Sequence, residues 1–543
     1  MLFTSYGFIF FVAFLLGIYY IFPRKYQWTL LLVASYFFYA FSGLWNFAFI
    51  IFTTISCFFV ARFLERRKAR EDDYVAKNKD TLDKEQRKAY RAKEKKKRFL
   101  LLVFGLLLNF GMLAILKYTE FALSNLNSIM GLFSDFRLKV PDLILPLGIS
   151  FFVFQSTGYL IDVYRSKTYA EKNIAKLALF VSFFPQLAQG PISRHSDLAP
   201  ELYRPHLFCA KNLKFGFQRV LWGYFKKLVI ADRILIAIKS MLGDTETYSG
   251  IYVVLLILLY SVEIYADFTG GIDITIGISE MLGIRLKENF NHPFSSKSTK
   301  EYWNRWHITM GSWFTDYVFY PLSVTKPMMK LSKWSRAHLG SAVGKRVPVY
   351  LATAVTWFLT GLWHGAAWNF IVWGMLNCLV ILVSQELEPL YKRFRNKFPK
   401  LVASRAYSSF EATRTFLLMG LIRSLDCYAN VGLSFKMWGS MFTNFNFMQC
   451  FKGGILELGL EVRDYVILGF AVALVAIVSG ISAKKDIREW LYGKTALSWI
   501  LSSALLIAIL LFGVLPFCFC ISLDLSSQRK VSPFIKIFYP HFY

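Results

Sequence analysis

Uncharged apolar stretches long enough to cross a bilayer recur along this chain of 543 residues, and no soluble core could bury them all. A window of about 18 apolar residues without charge reads as a membrane-spanning helix. Phe99 to Leu116 and Tyr465 to Ile481 are of this kind. Charged residues make up only 18% of the chain and hydrophobic ones 55%, whereas an ordinary soluble domain carries about 25% charged residues. The chain is expected to be an all-α polytopic membrane protein.

The placement of charge supports this and excludes nucleic acid as a partner. The net charge is +28, but Lys and Arg fall in short loops between apolar runs, as cytoplasmic loops of membrane proteins require. Gly7 to Phe22 is followed by Arg24 and Lys25, and Trp28 to Phe41 by Ser42 and Gly43. Trp45 to Ala61 then enters a segment, Arg62 to Arg98, with 16 basic and 8 acidic residues. Few residues there break a helix, and Glu94 and Arg98 stand at i,i+4 spacing, so it reads as a solvated helical insertion. If that segment is cytoplasmic, the N-terminus and Ser42-Gly43 lie outside, and Arg165 to Lys172 inside. Met1 to Phe22 has no basic leader and no small-residue cleavage site, and is expected to be a retained first span.

Beyond Tyr169 the segments become irregular. Leu177 to Gln189, Phe215 to Ile238 (interrupted by Lys226 and Lys227) and Gly271 to Ile284 are too short or too polar for plain spans. Such segments are tolerated at membrane depth only where protein or a water-filled cavity surrounds them. Leu143 to Leu160, Ile251 to Ala266, Val347 to Val383 (long enough for two), Tyr465 to Ile481 and Ser498 to Ile521 read as conventional. The expectation is about 10 to 12 spans plus re-entrant pieces, forming one membrane-embedded domain over residues 1–543. The seven cysteines (57, 209, 378, 427, 450, 518 and 520) show no CxxC pair and read as buried small hydrophobes, with no metal site.

Three clusters could carry chemistry. Thr360 to Asn369 reads TGLWHGAAWN between apolar flanks. An ionisable residue at membrane depth is a functional candidate by default. Burial disfavours the imidazolium, so His364 is expected to be neutral and able to take a proton from an attacking hydroxyl. Gly361 and Gly365 would let a substrate or a helix approach. An equally good reading is a G-x-x-x-G helix contact with a structural histidine.

The second cluster runs from Glu301 through Trp303, Asn304, Arg305, Trp306 and His307 to Trp313 and Asp316. Trp303, Trp306 and His307 would share one helical face, and on the residues alone an interfacial anchoring helix is the better reading. The third places Asp267 and Asp273 after an apolar span. Capping of a helix beginning near Ile272 ranks ahead of catalysis. His195, His206, His292 and His338 lie in polar loops and His541 in the tail.

Taken in order, these segments resemble the membrane-bound O-acyltransferase family, and within it the alginate O-acetylation and teichoic acid D-alanylation branches. The resemblance rests on Pro146 to Gln155, Leu160 to Arg165, Phe183 to Leu187, Gly190 to Ile192, Asp267 to Gly270, Trp303 to Asp316 and Gly361 to Gly365. The motif-bearing core spans about residues 145–385. Phe183 to Leu187 and Ser196 to Leu202 look like the alginate-acetylation type. Thr315 stands where the family usually has Arg, Gly271-Ile272 replaces an aromatic-Ser pair, and the insertion at 62–98 is long.

The resemblance implies a ring of helices around a tunnel through the membrane. It makes His364 the catalytic base and His307 the second catalytic histidine. Trp303, Asn304, Arg305, Trp306, Asp316, Trp363, Asp267 and Asn369 become candidates for lining the tunnel, and Lys297, Lys300 and Arg305 candidates for a basic donor entrance. It further implies a bacterial plasma-membrane O-acyltransferase, most simply an acetyltransferase. Its donor would be a thioester (acetyl-coenzyme A or an acyl carrier protein) with no tightly bound cofactor. The acceptor would be an exported polysaccharide, and the partners membrane lipids and an extracytoplasmic SGNH-hydrolase-like protein. D-alanyl transfer to teichoic acid stays open, as does, from another class, a lipid-linked glycan transporter or flippase. The latter leaves Trp363-His364-Gly365 unexplained.

Overall fold

A computed structural model describes residues 3–514, and among them every regular element is helical. Among the described residues six helices are long and apolar enough, by length and composition, to cross a membrane: Leu44–Lys77, Lys84–Met130, Ile251–Met281, Trp368–Glu386, Val462–Ser482 and Thr495–Phe512. This is fewer than the 10 to 12 expected, and the breaks have local causes. Tyr6–Tyr19 and Gln27–Ala40 hold 14 residues each, about 21 Å at 1.5 Å per residue. The expected span from Leu143 becomes helical only at Ile149. Pro141 and Pro146 withhold backbone donors, and Gly148 takes φ 69°, where a Cβ would collide with the Leu187 carbonyl. The remainder of the Ser498 to Ile521 stretch, with Cys518, Cys520 and His541, lies outside the described residues.

The chain divides into two compact units that interleave in sequence: residues 1–217 with 275–287, and residues 218–274 with 288–543. In the first, the basic segment is not a separate insertion. It continues two apolar helices, Phe47–Lys77 and Lys84–Met130, which pack as an antiparallel hairpin. An Asp83–Gln86 capping box starts the second helix. Glu94 and Arg98 do not pair with each other as their spacing suggested. Arg98 reaches Glu71 across the hairpin at 2.9 Å, with both side chains buried. Glu94 meets Lys97 at 2.5 Å and Arg67 at 3.4 Å, and Tyr74 stacks on Tyr90 at 4.3 Å. Cross-hairpin pairing wins because it satisfies both buried charges.

His195 and His206, expected in polar loops, are 1% and 6% exposed. His195 is enclosed by the rings of Tyr159, Tyr169 and Phe180, and Nδ1 meets Thr168 Oγ1 at 3.1 Å. His206 Nδ1 lies 2.8 Å from the Tyr19 hydroxyl, while Gln27 bonds its backbone on both sides.

In the second unit one helix, Ile251–Met281, runs unbroken through both Asp267 and Asp273 before passing into the first. No helix begins near Ile272, so neither aspartate caps one. Both neutralise lysines of the π-helical stretch Phe225–Ala231. Lys226 Nζ bonds Asp273 at 2.6 Å, and Lys227 Nζ bonds Asp267 at 2.6 Å and Asp232 at 2.8 Å. Arg219 completes the network through Asp273 and Glu288. A buried charge stripped of its partner costs several kcal/mol, on the order of 3 to 5, so these lysines and aspartates are mutually obligatory. Gly223 and Gly270 allow the approach: a Cβ on Gly223 would sit 2.6 Å from the Gly270 carbonyl.

Candidate functional site

The site grows from a second helical hairpin. Val347 to Val383 does contain two segments, Val347–His364 and Trp368–Glu386, which reverse at Gly365 to Ala367. Gly365 is extended, and a Cβ there would collide with the Phe370 ring; one on Gly361 would collide with the Phe370 carbonyl, and one on Gly374 with the Trp357 carbonyl. Gly361 and Gly365 therefore serve helix packing. That packing fixes His364, the last residue of its helix, at the turn.

His364 is 6% exposed. Its ring meets Trp373 edge-to-face at 4.6 Å and Trp363 at 5.0 Å, and lies parallel to Phe370 at 6.5 Å. Trp373 is the hub of the local core. It contacts Trp303 at 5.6 Å and Trp357 at 6.1 Å, and the Arg423 guanidinium lies 5.4 Å over it. Ile422 and Leu425 close that core.

His307 reaches the same place from a different element. The helix Thr299–Arg305 ends before it, Trp306 is extended, and His307 takes the left-handed conformation (φ 47°, ψ 52°) as N-cap of Ile308–Phe314. The shared helical face expected for Trp303, Trp306 and His307 does not exist, because this reversal splits it. Trp303 turns into the Trp357–Trp373 core with its indole N–H donating to Asn377 Oδ1 at 3.2 Å. Trp306 stacks on Tyr302 at 5.6 Å and meets Phe290 at 5.0 Å. His307 is 1% exposed; its ring lies 4.9 Å from Phe268 and 5.8 Å from Trp363. The Trp363 indole thus touches both histidines.

The other candidates separate into those near this centre and those committed elsewhere. Asn369 is buried and donates to the Leu425 and Tyr428 carbonyls at 2.8 and 3.0 Å, holding the turn after Arg423. Arg305 is engaged by Glu301 at 2.6 Å and Ser295 at 2.7 Å. Asn304 is exposed, as are Lys297 and Lys300, and Asp316 is half-buried in the π-helical turn Thr315–Phe319. Asp267 turns to Lys227, and its neighbour Phe268 is what meets His307.

Sequence reasoning passed over three groups. Asn289 accepts hydrogen bonds beside His307 and carries no local signal. Trp373 was hidden among ordinary apolar residues. Arg423, Asp426 and Tyr260 form a buried cluster, with the Tyr260 hydroxyl donating to Asp426 at 2.8 Å and Arg423 at 3.3 Å from that carboxylate. An Arg and an Asp three apart inside an apolar stretch were a usable signal. Arg423 also borders a cavity with Ser261, Phe294, Tyr302, Trp306 and Phe416. A buried centre of two imidazoles ringed by tryptophan suits proton transfer.

Comparison with known proteins identifies the family. The profile of the MBOAT, membrane-bound O-acyltransferase family, matches residues 152–420, a stretch that holds Asn289, His307 and His364. A probable alginate O-acetylase of Pseudomonas syringae pv. tomato is 30% identical over 471 residues, covering 86% of this chain and 80% of that protein. One from Azotobacter vinelandii is 34% identical over 377 residues, or 69% of this chain and 66% of that protein. The peptidoglycan O-acetyltransferase of Helicobacter pylori is 31% identical over 330 residues, covering 56% of this chain and 59% of that protein. The chain belongs to the membrane-bound O-acyltransferase family and is an O-acyltransferase of bacterial membranes.

Proposed function

We propose that this protein transfers an acetyl group from a cytoplasmic thioester to a hydroxyl on an exported cell-envelope polysaccharide. The observation that carries this is the convergence of His307 and His364 on the Trp363 ring. It is supported by the relatives, which are named for acetyl transfer to alginate and peptidoglycan. His364, at the hairpin turn, acts as the base. As the acceptor oxygen attacks the thioester carbonyl, its proton passes to the imidazole and a C–O bond forms. The C–S bond then breaks, and the proton returns to the departing sulfur, giving a free thiol. Acceptor, ester and thiol balance without any further reactant.

The thioester approaches from the side of the basic loops, through a tunnel bordered by the tryptophans of the site. Lys297 and Lys300 are exposed to meet an anionic donor, whereas Arg305 braces its own helix. An SGNH-hydrolase-like protein outside the membrane is the partner that works on the same polysaccharide acceptor. Purified protein in liposomes, offered acetyl-coenzyme A, an acetylated carrier protein and a D-alanylated carrier protein in parallel, tests the donor. Thiol release that depends on acceptor and on one acetyl thioester is expected. Release only from a D-alanyl carrier thioester would overturn the acetyl reading.

A further inference from the structure

His307 is held by Asn289 in a way that selects one of its two neutral forms. The two residues are 18 apart in sequence, and the Ile308 N–H donates to the Asn289 carbonyl at 2.9 Å while the Asn291 N–H donates to the Arg305 carbonyl at 2.9 Å. That short bridge keeps His307 left-handed. Asn289 Oδ1 accepts the Thr309 backbone N–H at 3.0 Å and the Thr309 hydroxyl at 2.9 Å. A backbone N–H can only donate, so the amide cannot be turned the other way round, and the atom facing His307 Nδ1 at 3.2 Å is an acceptor. Nδ1 must therefore carry the proton. In a neutral ring Nε2 then carries the lone pair, and Nε2 is buried with no hydrogen-bond partner among the described residues.

We propose that Asn289 is the positioning residue that fixes His307 with its proton on Nδ1, so that Nε2 meets the substrate as an acceptor. The inference rests on the reading above that His307 belongs to the acyl-transfer site, and it divides the labour there. In this form His307 receives an O–H or N–H of the substrate and donates nothing to a carbonyl oxygen. With His364 taking the proton of the reacting hydroxyl, the group that suits Nε2 is a second hydroxyl of the same sugar. Such a bond would orient the acceptor without competing for the reacting proton. Polyhydroxy acceptors are thus favoured over lone alcohols.

Nitrogen-15 NMR of histidine-labelled protein in liposomes reads the tautomer directly, the His307 signal being the one absent from His307→Ala. Protonated Nδ1 and unprotonated Nε2 are expected in the wild type, with the two forms mixed in Asn289→Leu. In the same variant kcat should fall through loss of the fixed ring orientation together with part of the Nδ1–H form, by far less than the roughly 10,000-fold that a wholly wrong tautomer brings, with the KM for the thioester unchanged. Asn289→Asp keeps the acceptor oxygens and should restore most of the rate, which a merely structural amide would not require. Wild-type kcat in Asn289→Leu overturns the proposal. If that variant does not fold, a wild-type signal with the proton on Nε2 overturns it equally. An active His307→Ala would instead remove His307 from the site and with it the wider reading.

Discussion

His307 pays for its position in backbone energy, since a left-handed conformation costs a non-glycine residue about 1 kcal/mol or more. Asn occupies that region more readily than most residues. His307→Asn is therefore expected to leave thermal stability in detergent unchanged or slightly raised while acyl transfer is lost. Lower stability with activity retained would show the histidine to be architectural. The same residue shows why local spacing misled. Trp303, Trp306 and His307 fit one helical face in sequence, but Asn289 imposes a reversal from 18 residues upstream. No window of the sequence contains that information. His364 was easier to find, because an ionisable side chain between apolar flanks stands out wherever the chain later folds.

At the scale of elements, the two hairpins explain which sequence signals were legible. The G-x-x-x-G spacing around His364 left substrate access and helix packing equally open. The structure assigns Gly361 and Gly365 to packing against Phe370. Gly361→Ala or Gly374→Ala should each destabilise the protein by about 1 to 3 kcal/mol through overpacking, read as a lower unfolding midpoint. An unchanged midpoint would contradict the close helix contact. In the basic hairpin, helicity was legible from composition but the pairing was not, since Arg98 prefers Glu71 on the other helix to Glu94 on its own. Removing Arg98 leaves the buried Glu71 carboxylate with only Lys68 at 3.5 Å, so Arg98→Ala should cost about 3 kcal/mol. Arg67→Ala, whose side chain is 44% exposed, should cost much less. Equal losses would mean that the cross-hairpin pair is not buried.

For the whole molecule, the one-sided clustering of Lys and Arg predicts that the tip of the basic hairpin is cytoplasmic. A single cysteine at Glu85 should escape an impermeant thiol reagent on intact cells, whereas one at Asn125 should react. Labelling at Glu85 would invert the topology. Acid sensitivity is a second global property. His195 and His206 lie outside the six candidate spans, and burial pushes each down to about 4 from the ordinary 6.5. Between those values the unfolded chain binds protons that the folded one does not, so stability present above about 6.5 is lost as pH falls toward about 4. The unfolding midpoint should follow that course, and a flat profile across this window would contradict the burial of both rings. The family was legible at this scale because short motifs kept their order along the chain, while the number of full-length spans was not. Prolines, glycines and a π-helical stretch shorten or interrupt segments that hydropathy alone reads as continuous.

If His364 takes the acceptor's proton, His364→Gln removes the base and leaves the rest of the site in place. Gln keeps hydrogen-bonding capacity and comparable bulk at the hairpin turn, yet cannot act as a base. General-base catalysis contributes about 100- to 10,000-fold, so acyl transfer should fall by an amount in that range. Wild-type unfolding behaviour and an unchanged elution profile should accompany it. Folded His364→Gln protein that transfers the acyl group at near the wild-type rate would contradict the mechanism.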